Sequence, residues 1–153
     1  MYKVFLSVFL FFGFFNSTLA DKLNGVWVQD IDSQNEFNYA KVTLSQDEME
    51  ALSCSRQKMF FDSGILITSQ KELACDYKGK KVVIPPLEFK NYYRILASSD
   101  DKVAVEMADV TGKSNIEIFY FIGDDIFWSY YYGDNTSADA HLRVYYRRKA
   151  ASP

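Results

Sequence analysis

The chain has 153 residues, with 17 Lys plus Arg against 20 Asp plus Glu and a formal net charge of −3. This mild acidity argues against nucleic acid as a partner, because phosphate binding needs clustered positive charge. The length fits one domain with its own core, and no internal repeat or linker divides it.

Residues 1–20 read as a signal peptide. Lys3 is their only charge, Val4 to Phe15 is almost wholly apolar, and Thr18-Leu19-Ala20 resembles the small-x-small pattern before a cleavage site. The apolar run of ~12 residues is short of the ~20 that span a bilayer, so no stable membrane span is expected after processing. The expected product is exported to the periplasm or the extracellular space. Residues 21–149 form one domain and 150–153 a disordered tail. Without the leader the balance is 17 − 1 = 16 bases against 20 acids, or −4.

In chain order, Lys22 to Gln29 predicts a first strand, with Val26 and Val28 flanking Trp27 after Asn24-Gly25. Asp30 to Asn38 is polar and predicts a loop. Tyr39 to Leu44 alternates and predicts a second strand. Ser45-Gln46-Asp47-Glu48 is a capping box, with Met49 and Leu52 as a short apolar stripe. It predicts a helix over Gln46–Ser53, the only one expected after the leader.

Hairpins follow. Lys58–Phe61 and Ile65–Ser69 flank Asp62-Ser63-Gly64, and Leu73–Tyr77 and Lys81–Ile84 flank Lys78-Gly79-Lys80. Pro85-Pro86 stops the strand, since neither residue has an N–H for the ladder. Tyr92–Ala97 and Lys102–Ala108 flank Ser98 to Asp101. The most aromatic hairpin is Ser114–Gly133, turning at Gly123-Asp124-Asp125. On its first arm Ile116, Ile118, Tyr120 and Ile122 share one face, and Glu117, Phe119 and Phe121 the other. Neither arm has a cleanly polar face, so both faces are expected to be covered. Gly133–Ala140 predicts a polar loop and Leu142–Arg148 the last strand.

This pattern predicts an all-β fold. It is a single antiparallel meander of about 8–10 short strands closed into a barrel, with one short helix; a β-sandwich is the alternative. Cys54 and Cys75 are the two cysteines. In an exported chain such a pair reads as a disulfide, and C-x-x-C redox spacing is absent. Closing a loop of ~22 residues stabilises by ~3.4 kcal/mol in the chain-entropy account.

Gly25-Val26-Trp27 near the start and a basic residue on the last strand resemble the lipocalin-like, or calycin, β-barrels. Those families open on Gly-x-Trp and pack a C-terminal basic side chain over the indole. The resemblance implies a barrel with Trp27 buried at a closed end and Arg143 or Arg147 over its face, a contact with a physical basis.

No catalytic constellation emerges, and the chain is expected not to be an enzyme. His141 is the one histidine, which leaves a triad or a metal site poorly supported. The acid pairs Asp30/Asp32, Asp100/Asp101 and Asp124/Asp125 fall in predicted turns, where Asp caps local N–H groups. Arg143, Arg147, Arg148 and Lys149 read as a solvated tail. Asn135-Thr136-Ser137 is a formal glycosylation sequon. Binding is therefore the expected role, with no cofactor. The first class is a carrier of an apolar or amphiphilic small molecule, with Phe119, Phe121, Trp128, Tyr130 and Tyr93 as candidate ligand contacts; the bland alternative is that these five are simply core. The second class is a protein-binding module, such as an enzyme inhibitor or immunity protein, presenting acidic loops at Asp30–Glu36 and Gly133–Asp139.

Overall fold

A computed structural model describes residues 22–41, 44–131 and 142–150. The predicted leader, the Gly133–Asp139 loop with its sequon, and His141 lie outside the described residues.

The strands are β1 (Gly25–Gln29), β2 (Lys58–Asp62), β3 (Ile65–Gln70), β4 (Leu73–Tyr77), β5 (Lys80–Ile84), β6 (Leu87–Ser98), β7 (Lys102–Ala108), β8 (Ser114–Ile122), β9 (Ile126–Tyr130) and β10 (Arg143–Arg148). Eight of them close an antiparallel barrel in the order β1-β10-β9-β8-β7-β6-β3-β2. The expected barrel is therefore present, and the sandwich is not. The meander has one excursion. β3 pairs directly with β6, from Ile65 opposite Tyr92 to Gln70 opposite Leu87, while β4 and β5 form a separate two-stranded sheet. Pro85-Pro86 ends β5 where the ladder would have to continue, and β6 resumes at Leu87, earlier than the predicted Tyr92.

Cys54 and Cys75 are bonded, with Cα atoms 5.6 Å apart. Helices α1 (Ile31–Lys41) and α2 (Gln46–Ser53) follow β1, and the bond joins the outlying hairpin to the end of the capped α2. The capping box is formed as predicted: Ser45 Oγ accepts from Glu48 N, and the Glu48 carboxylate accepts from Ser45 N. Lys78 in the hairpin turn pairs with Asp47 at 2.9 Å, and its backbone N–H donates to Glu50.

The first correction is helix α1 (Ile31–Lys41), where the sequence predicted a loop and the start of a strand. Asp30 starts it: Oδ1 accepts from Ser33 N at 3.1 Å, as an N-cap does. The helix buries polar Gln34 and Asn38 toward the barrel, so no apolar stripe announces it. Asn38 works as a ladder extension. Its Nδ2 donates to Arg143 O at 2.9 Å and its Oδ1 accepts from Arg143 N at 3.0 Å, beyond the point where β1 pairs with β10.

Strand alternation sorts side chains into an inner and an outer set. Trp27, Phe61, Val103, Val105, Phe119, Phe121, Phe127 and Tyr146 belong to the buried core. The Phe127 ring lies 4.7 Å from Trp27, 4.9 Å from Phe119 and 5.0 Å from Tyr146. Trp27 is fully buried, and its indole N–H donates to Leu23 O at 2.8 Å.

The cation over Trp27 is Arg148, its guanidinium 4.2 Å from the ring, and neither Arg143 nor Arg147. Parity explains this second correction. Val144, Tyr146 and Arg148 alternate inward on β10, and Arg148 stands opposite Trp27. Arg143 and Arg147 point outward. Arg147 pairs with Asp30 at 2.8 Å, and Arg143 lies 3.7 Å over Trp128 and 3.9 Å over Phe37 of α1. Arg148 also donates to Asn24 O at 2.7 Å and Lys22 O at 2.6 Å, which fixes the entering chain across this end of the barrel. Gly25 is required there. Its φ is +120°, and an added Cβ would stand 3.1 Å from Arg148 Nη1.

The aromatic hairpin is not covered on both faces throughout. The outer face of β9 is, because Trp128 stacks on Tyr120 at 4.1 Å beneath Arg143. The outer face of β8 is open, leaving Ile116, Ile118 and Ile122 exposed.

Candidate functional site

The aromatic core fills the half of the barrel nearest Trp27. The other half holds a cavity of about 350 Å³. Its wall comes from the inward positions of successive strands: Met59 on β2, Met107 on β7, Glu117 and Phe119 on β8, Ser129 on β9, and Val144 and Tyr146 on β10. Leu52 and Ala51 of α2 lie along the mouth with Glu48. The capping box sets where α2 begins, and the disulfide anchors where it ends, so the mouth has a fixed edge.

Apolar surface dominates the lining, with a few polar groups at defined places. Tyr146 Oη donates to Gln57 Oε1 at 2.9 Å. Glu117 is different. Its Oε2 is buried and has no hydrogen-bond partner among the described residues. Burial pushes its carboxyl up to about 7 from an ordinary 4.5. The Tyr146 hydroxyl is also pushed up, first by burial and then by the nearby Glu117 charge. Asp30, outside the barrel, goes the other way. Burial raises it, but the Ser33 N–H and Arg147 together hold it below the usual carboxylate value.

The five predicted contacts do not converge. Phe119 and Tyr130 line the cavity. Phe121 and Tyr93 pack inside the filled half, against Trp27 and Phe61 at 6.0 and 5.4 Å. Trp128 lies on the outer face, in the cluster with Tyr120, Tyr130 and Arg143. Phe119 and Phe121 share a face that Trp128 and Tyr130 do not, since the hairpin register sets Phe121 opposite Phe127 and Tyr120 opposite Trp128. The remaining wall residues were missed. The signal for Glu117 was present: it shares the inward face of β8 with Phe119 and Phe121, and a carboxylate between core aromatics calls for an explanation.

No group of His, Cys, Asp and Glu among the described residues has a metal-binding arrangement. No described helix is long and apolar enough to cross a membrane. No family model, curated protein or solved structure matches this chain.

Proposed function

We propose that this protein is an exported binder of a small amphiphilic molecule, held in the unfilled half of the barrel. The observation that carries the reading is the cavity itself. At about 350 Å³ it falls within the range of small-molecule sites, which open at ~300 Å³. Among the described residues, the aromatic core packs the half of the barrel nearest Trp27 and leaves the cavity in the other half. The empty half combines the Met59, Met107, Phe119 and Val144 wall with the Gln57, Ser129, Tyr146 and Glu117 polar groups. Such a lining suits a ligand with an apolar body and a polar end.

The Trp27–Arg148 contact keeps the resemblance to calycin barrels as a further support. Export is supported by the Cys54–Cys75 bond and by the apolar stretch Val4–Phe15.

The test is calorimetric titration with octan-1-ol, a neutral amphiphile. Saturable binding to the wild type is expected. Val144→Phe puts a larger side chain into the wall and should weaken binding at least tenfold while the thermal unfolding transition persists. Absence of saturable binding to the wild type would defeat the reading.

A further inference from the structure

We propose that the ligand carries a cationic amine at its polar end, and that Glu117 is the anchor that receives it. The inference rests on the binding role proposed above and adds the chemical class of the ligand.

Two independent observations lead to it. The first is the unpartnered carboxylate oxygen. A buried polar atom without a hydrogen bond is costly, and folding normally avoids it. Glu117 lines the cavity, where a guest has room, and its buried Oε2 is an acceptor with nothing to accept from among the described residues. The second is the charge of the wall. The described lining includes Glu117 and Glu48 and contains no lysine, arginine or histidine. A fatty acid or phosphate ester would enter with its own negative charge and meet, among the described residues, acids and no base. An ammonium group would supply both the donors and the countercharge.

The surroundings of Glu117 fit the same reading. On β7 its flanks are Val105, which is opposite it in register, and Met107. From β10 the Tyr146 phenol, already donating to Gln57, lines the same cavity. From β9 comes Ser129. Glu48 at the mouth is held by Ser45 through the capping box, so it is committed elsewhere. Glu117 is thus the free acceptor deep in the wall, and apolar side chains surround the space where a ligand's hydrocarbon part would lie. A pair formed there is screened from water and is worth more than one on the surface.

The experiment compares three probes with one tail: octylamine, octan-1-ol and octanoic acid, titrated calorimetrically at pH 8. At that pH a carboxyl titrating near 7 is mostly ionised. Octylamine should bind at least tenfold more tightly than octan-1-ol, and octanoic acid more weakly than both. In Glu117→Gln the amine-to-alcohol ratio should fall to near one. Octanoic acid binding as tightly as octylamine to the wild type would overturn the amine assignment and leave the carrier reading standing. An amine preference that survives Glu117→Gln would overturn the anchor. Failure of all three probes to bind would remove the carrier reading and this inference with it.

Discussion

Replacing Glu117 with glutamine removes a carboxyl whose ionisation the fold opposes, and the consequence for stability has a definite sign. In the folded protein this carboxyl titrates near 7, against an ordinary 4.5. The folded state therefore holds the proton over a range where the unfolded chain has released it. The group's stabilising contribution is complete below about pH 4.5, falls as pH rises through about 7, and is gone above it. At ~1.36 kcal/mol per tenfold change in the proton equilibrium, the full difference is ~3.4 kcal/mol. Screening by water at the cavity mouth reduces this to about 2 kcal/mol. Other carboxylates titrate too, with the opposite sign: hydrogen bonds to Arg94 and to Thr111 hold Glu106 and Asp109 below their usual values. The informative quantity is therefore the difference between wild type and Glu117→Gln. Urea unfolding at pH 5 and at pH 8 should show the variant gaining about 2 kcal/mol on the wild type between the two. Parallel pH profiles would refute the claim that the Glu117 carboxyl is largely withdrawn from water and its Oε2 unpaired.

Four further outcomes follow from the geometry. Trp27→Ala should cost ~3–5 kcal/mol in chemical denaturation, since it empties the closed end of the barrel. Gly25→Ala should destabilise by ~1–3 kcal/mol, because its φ is +120° and its Cβ would crowd Arg148; Arg148→Lys in the same background should recover part of that loss. Asn38→Leu should cost ~2–3 kcal/mol by leaving the N–H and C=O of Arg143 unpaired, with hydrogen exchange quickening at Arg143. Cys75→Ala should lower stability by ~2–4 kcal/mol, and thiol titration of the native protein should find neither Cys54 nor Cys75 reactive.

The hairpins were legible because their turn residues are local. Asp62-Ser63-Gly64 and Gly123-Asp124-Asp125 mark reversals that alternating β-formers on each side confirm, and β2, β3, β7 and β8 begin or end within a residue of expectation. Helix α1 was hidden for a physical reason. Its buried residues are Gln34 and Asn38; Asn38 is satisfied by the backbone of Arg143, far away in sequence, and Gln34 Oε1 accepts from Gln29, five residues before it. Apolar periodicity cannot reveal a face that is polar. The arginine over Trp27 was misassigned because the choice depends on strand parity, which Tyr146 and Val144 on the inward face would have settled in favour of Arg148. The candidate site was half legible. Phe119 was found because aromatics on strands attract notice. The cavity was not, because it is what remains when the side chains have been placed, and no single residue encodes it.

The central claim is that the unfilled half of the barrel receives a small molecule, and two methionines make it directly observable. Met59 and Met107 both line the cavity, whereas Met49 on α2 does not. Methyl-labelled methionine spectra recorded during titration with octylamine should show saturable shifts at Met59 and Met107 that are larger than any at Met49. No saturable shift at the two wall methionines, or equal small drifts at all three, would contradict the account.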